Sequence, residues 1–144
     1  MTETDLVSTA RRLAERHHAG QVDKAGAPYI GHILRVADRV SHLDSEAIAA
    51  GLLHDVLEDT AATEDELAAA GIPATVIEAV VLLTKTGGPL ADYYARIRNN
   101  PIALAVKLAD IADNNDPSRQ ALLAPEVRQR LQRKYAQATA ALTH

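Results

Sequence analysis

The chain has 144 residues, of which 47% are hydrophobic and 24% charged, and it carries a formal net charge of -4 with no cysteine. This length and composition are typical of one globular domain, and they exclude a disordered or fibrous chain, disulfides and thiolate metal sites. Charges of both signs are mixed along the chain, and Phe and Trp are absent beside four tyrosines, which argues against a nucleic-acid partner. No apolar run is long enough to cross a membrane, so we expect a soluble, cytoplasmic protein.

Hydrophobic residues recur at helical spacing along the whole chain, and no segment alternates in the pattern of a strand. Without a linker or repeat, residues 1–144 are predicted to form an all-α, single-domain helical bundle. The predicted helices are 4–18, 28–42, 45–57, a short one from the Thr63 capping box to Gly71, then 73–83, 90–98, 101–113 and 125 to the C-terminus. The TKTGGP segment after Leu83 lacks a phosphate-loop pattern and is predicted to be a flexible loop or lid.

The predicted helix over 45–57 carries a group of ionisable side chains. On a helical wheel its apolar residues occupy one side, and the other side is a continuous arc of His54, Asp55, Glu58 and Asp59. The small residues Ala47 and Gly51 are predicted to leave space in front of this arc. A solvated acidic face is the simpler interpretation, but His54 and Asp55 stand inside an apolar stretch, where half-buried charge needs a partner. A divalent cation is such a partner.

Two other ionisable residues stand in apolar segments. His32 lies in YIGHILRVA and alone would more often be a core histidine than a ligand. Asp110 lies in PIALAVKLADIA, and an aspartate is almost never buried without a partner. Lys107, three residues earlier, is one possible partner. Together with His54 and Asp55, these residues supply two imidazoles and two carboxylates.

This combination of ligands narrows the choice of metal. Nitrogen and oxygen ligands without sulfur suit Mn²⁺ or Fe²⁺ in an open octahedral site, although Zn²⁺ also accepts them. A water bound to such an ion loses a proton near neutral pH and can attack phosphorus. Glu58 and Asp59 lie one helical turn from His54 and Asp55, where they could orient or deprotonate that water.

The order of these residues resembles the HD phosphohydrolase superfamily. The segments HHAGQVDKAGAPYIGHILRVA, GLLHDVLEDT and VKLADIADN are similar to the hydrolase domain of RelA/SpoT enzymes and to small alarmone hydrolases. The resemblance covers about 17–114 and implies an all-α HD-type domain with one Mn²⁺. It also implies a small-molecule substrate, (p)ppGpp, from which the 3′-pyrophosphate is removed.

The resemblance also implies roles for individual residues. The positions that match the metal ligands are His32, His54, Asp55 and Asp110. The acidic pair that activates water is matched by Glu58 and Asp59, and the substrate contacts are matched by Lys24 and Asn114.

The chain departs from the family pattern at substrate positions. Asp23 stands where the family often has an arginine that helps to hold guanine, and Asn115 and Asp116 replace a usual Met-Arg. We therefore expect the nucleobase to be bound more weakly than in typical members of the family. An HD hydrolase for another nucleotide and a binding module without turnover remain alternatives, although a pure binder would not need Glu58 and Asp59.

Overall fold

A computed structural model describes residues 2–143, and every regular element in this range is a helix, as predicted. The helices are α1 (Glu3–His17), α2 (Ile30–Arg39), α3 (Ser45–Leu53), α4 (Val56–Asp59), α5 (Glu64–Ala69), α6 (Ala74–Leu83), α7 (Leu90–Arg98), α8 (Pro101–Asn114), α9 (Pro117–Gln120) and α10 (Pro125–Thr143). None of the described helices is both long and apolar enough to cross a membrane.

Helix α3 lies at the centre of the molecule, where it packs against α1, α2, α6 and α8. Six of its nine residues are buried, because it is apolar on nearly all sides. Helix α8 packs beside both α2 and α3, and α7 and α10 pack against α8. This arrangement brings polar residues of α2, α8 and the end of α3 to one place in an otherwise aliphatic core.

The predicted helix over 45–57 is interrupted in the structure. Helix α3 ends at Leu53, and α4 begins at Val56 after a turn in which Asp55 has φ -105° and ψ 1°. The Nδ1 atom of His54 donates to the carbonyl oxygen of Gly51 at 2.7 Å. That oxygen would accept the backbone N–H of Asp55 in a continuous helix, so the imidazole takes a place in the helical ladder.

Two further differences affect the loops around the core. Helix α2 begins at Ile30 rather than at Pro28, because Pro28 forms an antiparallel bridge with Val22 and the loop is held in a turn. Helix α9 was not predicted, although the Asp116–Pro117 pair is a typical helix start and the Asp116 side chain accepts the backbone N–H of Ser118.

Gly51 has a different role from the one predicted. A Cβ atom at this position would lie 3.2 Å from the Cα atom of Ala37 in α2. The glycine therefore lets α2 and α3 approach closely, instead of leaving space in front of the acidic arc.

Substitution of this glycine tests the close approach. Gly51→Ala is expected to lower the free energy of unfolding by about 1 kcal/mol in urea denaturation. Displacing the α2 backbone costs about 1–3 kcal/mol, and the gain of roughly 1 kcal/mol in helix propensity offsets part of it, which leaves a net loss of about 1 kcal/mol at the middle of the range. Gly88→Ala is the control, because its added Cβ meets nothing within 4 Å. Equal stability of Gly51→Ala and the wild type would contradict the interpretation.

Candidate active site

The four predicted metal ligands converge in the structure. His32 comes from α2, His54 and Asp55 from the turn between α3 and α4, and Asp110 from α8, and one ligand atom from each lies within 4.8 Å of the others. Both imidazoles are 2% exposed. The Nε2 atom of His32 lies 2.9 Å from Oδ1 of Asp110, and that of His54 lies 3.1 Å from Oδ2 of Asp55.

The hydrogen bonds of the two histidines fix which nitrogen faces the cluster. Nδ1 of His32 lies 2.6 Å from a carboxylate oxygen of Asp113, and Nδ1 of His54 bonds the Gly51 carbonyl, so both Nδ1 atoms act as donors. Neither Nε2 atom has a hydrogen-bond partner among the described residues, although both face carboxylate oxygens. Two buried nitrogen lone pairs and two carboxylates aimed at one point fit a divalent cation.

The charges of the cluster depend on one another. Burial lowers the pKa of His32 and of His54, but the neighbouring carboxylates outweigh burial and raise both pKa values. Burial raises the pKa of Asp110, whereas the two histidines and Lys107 hold it well below its usual range. The carboxylates therefore stay ionised and attract positive charge, which either protons on the imidazoles or a metal cation can supply.

Lys107 is a partner of Asp110, as the alternative interpretation of the sequence expected. Its Nζ atom lies 3.3 Å from Oδ2 of Asp110. The other carboxylate oxygen, Oδ1, faces the histidines and accepts the side-chain amide of Asn114 at 3.1 Å. The ion pair with Lys107 thus leaves one oxygen of Asp110 directed into the cluster.

Asp113 supports the cluster from behind and was missed in the sequence. It is 1% exposed, and its carboxylate accepts from His32 Nδ1, from Arg35 at 2.8 Å and from Arg119 at 2.8 Å. Burial raises the pKa of Asp113, but His32 and Arg35 outweigh it and lower the pKa to about 2. The sequence does signal Asp113, because it stands three residues after Asp110 and so lies on the same face of α8.

Tyr29 was also missed in the sequence, and its hydroxyl donates to the carboxylate of Asp55.

A cavity of about 580 Å³ opens beside the cluster. It is lined by the remaining predicted site residues, which are Lys24, Glu58, Asp59 and Asn114. Glu58 and Asp59 are exposed, and a Glu58 carboxylate oxygen accepts the backbone N–H of Lys85 at 2.7 Å. The TKTGGP segment therefore contacts the site. Partial desolvation of the Asp59 carboxylate at the cavity, together with the charges of Asp55 and Glu58, raises its pKa. The raised pKa brings this carboxylate closer to the range of a general base.

Several cations also line the cavity. Lys85 and Lys134 were not singled out in the sequence, and neither forms an ion pair within residues 2–143. Burial lowers the pKa of Lys134, and so do the charges of Lys85, Lys107 and Lys24. The cavity therefore presents converging ammonium groups, which suit a ligand with several negative charges.

Asp23 lines the cavity and forms an ion pair with Arg119. Its Oδ2 atom accepts from Nη2 of Arg119 at 3.2 Å, and its Oδ1 atom accepts the backbone N–H groups of Ala25 and Ala27. Arg119 comes from α9, so the pair joins the loop before α2 to a helix 96 residues further along the chain.

Comparisons with known proteins identify the family of this chain. The sequence profile of the family described as HD domain matches residues 10–87. The guanosine-3′,5′-bis(diphosphate) 3′-pyrophosphohydrolase of Haemophilus influenzae is 49% identical over 57 residues, which are 38% of this chain and 8% of that protein. The protein of the same name from Aquifex aeolicus is 34% identical over 119 residues, covering 75% of this chain and 17% of that protein.

A solved structure has a similar fold. It is described with the words "A metazoan ortholog of SpoT hydrolyzes ppGpp and plays a role in starvation responses". It aligns with a TM-score of 0.77 at 22% identity, over 96% of this chain and 85% of that chain. The matches to the curated relatives span only 8% to 20% of those proteins.

Proposed function

Because this chain belongs to the HD domain family, we propose that it is a metal-dependent phosphohydrolase that removes the 3′-pyrophosphate from (p)ppGpp in the cytoplasm. The observation that carries the proposal is the buried convergence of two unpartnered imidazole nitrogens and two carboxylates beside a cavity rich in cations. The names of the relatives from Haemophilus influenzae and Aquifex aeolicus support the choice of substrate.

In this proposal the metal ligands are His32, His54, Asp55 and Asp110, and the ion is Mn²⁺. Fe²⁺ and Zn²⁺ are the alternatives, because the same nitrogen and oxygen donors also accept them. When bound, a divalent cation supplies Lewis acidity, which polarises a phosphoryl oxygen and makes water more acidic.

The residues of the chain would then handle the proton and the phosphates. Glu58 or Asp59 accepts the proton of the water that attacks the phosphorus bound to the ribose 3′-oxygen. The bond between this phosphorus and the 3′-oxygen breaks, the 3′-oxygen takes up a proton to become a hydroxyl, and pyrophosphate and a guanosine 5′-diphosphate or 5′-triphosphate leave. Lys24 and Asn114, which line the cavity, contact the substrate.

A second candidate is hydrolysis of a different nucleotide, which is favoured by the departures at Asp23, Asn115 and Asp116. The two candidates are separated by incubating the Mn²⁺-loaded protein with ppGpp, pppGpp, adenosine 3′,5′-bis(diphosphate) and common nucleoside triphosphates. We expect the two guanosine 3′-pyrophosphates to be cleaved fastest, with pyrophosphate identified by mass and phosphorus NMR. Preferred cleavage of another nucleotide would establish the alternative, and binding without turnover would indicate a binding module.

Asp113 provides a further test of the metal site. Asp113→Asn retains the shape of the side chain but removes the charge that orients His32 through Nδ1. We expect the affinity for Mn²⁺ to fall about 10–100-fold, the usual effect of losing such an outer partner. Isothermal titration calorimetry measures the change, with the exposed Asp38→Asn as control. Unchanged Mn²⁺ affinity in Asp113→Asn would remove Asp113 from the site.

A further inference from the structure

The guanidinium of Arg119 is held in the cavity wall by acceptors from two parts of the chain. Nη1 donates to the Asp113 carboxylate at 2.8 Å and to the Asn114 side-chain oxygen at 3.0 Å, and Nη2 donates to Asp23 at 3.2 Å. The side chain is 22% exposed and lines the cavity. Its orientation is therefore fixed before any ligand binds.

The charge around Arg119 differs from that around the cavity lysines. Two carboxylates, those of Asp23 and Asp113, offset the charge of the guanidinium and accept from its two Nη atoms. Lys85 and Lys134 have no such partner in the described range. Phosphates are therefore attracted to the lysines more than to Arg119, whose engaged Nη atoms leave its face for a planar ligand. A planar, delocalised guanidinium can lie flat against an aromatic ring, whereas a tetrahedral ammonium cannot adopt this stacked geometry.

Apolar side chains flank the same pair. Val22 precedes Asp23 and is 63% exposed, and Leu122, in the turn that follows Arg119, is 69% exposed. Both line the cavity, and they are two of the four large hydrophobic residues that stand exposed in the described range. Exposed aliphatic groups beside a fixed planar cation make a surface suited to a flat heterocycle.

The position of this surface relative to the ligand cluster suits a nucleoside. One carboxylate, that of Asp113, contacts both Arg119 and Nδ1 of His32, whereas Nε2 of His32 faces the cluster. The Asn114 side chain also bridges Arg119 to Oδ1 of Asp110, so Arg119 lies one side chain behind the ligand cluster and bonds none of its ligand atoms within the described residues.

We propose that Arg119, oriented by Asp23 and flanked by Val22 and Leu122, is the platform on which the nucleobase of the substrate stacks. This inference rests on the proposed function, because it takes the ligand to be a nucleotide whose phosphates face the cluster. It assigns Asp23 a positioning role. It also predicts that the nucleobase is bound more strongly than the loss of an arginine at position 23 suggests.

The test compares two ligands that differ only in the base. They are ppGpp and a base-free analogue, 1-deoxyribose 3′,5′-bis(diphosphate), and both are assayed for KM, kcat and dissociation constant with Mn²⁺-loaded protein. Arg119→Lys keeps the positive charge but replaces the planar guanidinium with a tetrahedral ammonium. It should raise the KM and the dissociation constant for ppGpp about tenfold, within the usual range for one stacked base, and leave kcat within about twofold. The values for the base-free analogue should not change.

Asp23→Asn and Leu122→Ala should shift the same constants in the same direction by a smaller factor, and Arg11→Gln, which breaks an exposed ion pair with Glu15, should shift none. An equal loss for both ligands in Arg119→Lys would make Arg119 a phosphate contact and overturn the inference, as would a wild type that binds both ligands equally. A wild type that binds ppGpp more tightly than the analogue without cleaving it would contradict the proposed function alone.

Discussion

Asp55→Asn and Asp110→Asn are each expected to lower the affinity for Mn²⁺ by more than about 100-fold, which exceeds the usual loss for an outer partner. Each substitution removes one of the two negative charges that face Nε2 of His32 and His54. The amide that replaces the carboxylate is a weaker ligand for a hard cation. Metal content after dialysis, measured by elemental analysis, should fall from about one ion per chain to a small fraction.

Loss of metal must be separated from loss of the fold. In Asp110→Asn the partly buried Lys107 loses its charged partner, and the cost of about 3–5 kcal/mol for breaking a fully buried pair is an upper limit for this loss. Asp55→Asn leaves this ion pair intact, so the metal content of Asp55→Asn is the cleaner measurement. Circular dichroism spectra and urea midpoints are recorded for both variants, with Asp38→Asn as the surface control. Full metal occupancy in folded samples of both variants would contradict the assignment of the cluster.

Glu58→Gln is expected to retain the metal and to lose about 10²–10⁴-fold in kcat, the usual contribution of general acid–base catalysis. The substitution removes the ability to accept a proton but keeps an oxygen for the backbone N–H of Lys85, so the TKTGGP segment should remain in place. Asp59→Asn is measured in parallel, because the raised pKa of Asp59 also suits a base. The variant with the larger loss in kcat identifies the residue that takes the proton.

The control for this pair is Glu64→Gln on α5, which removes an exposed carboxylate remote from the lining of the cavity. Its kcat should match that of the wild type. If Glu58→Gln instead loses its metal, Glu58 is a ligand and the proposed division between ligands and bases is wrong.

The convergence of the four candidate ligands was predictable because each of them is out of place in its local sequence. An ionisable side chain in an apolar helix needs a partner, and that requirement drew attention to His32, His54, Asp55 and Asp110. The all-α fold was predictable for a related reason, since helical spacing of apolar residues persists along the chain.

The parts that were missed depend on tertiary contacts. The end of α3 at Leu53 follows from a side-chain hydrogen bond of His54, which helical periodicity does not register. The close approach at Gly51 depends on the position of α2. The ion pair of Asp23 was missed because its partner, Arg119, lies 96 residues away on a helix that was not predicted.

Metal-dependent cleavage at the 3′-pyrophosphate is tested most directly by incubating ppGpp with the Mn²⁺-loaded wild type in ¹⁸O-labelled water, followed by phosphorus NMR and mass spectrometry. We expect guanosine 5′-diphosphate and pyrophosphate in equal amounts, with the label in pyrophosphate because water attacks phosphorus, and no reaction after chelation of the metal. Unchanged ppGpp with metal bound, or the same rate of cleavage after the metal is removed, would contradict the proposed function.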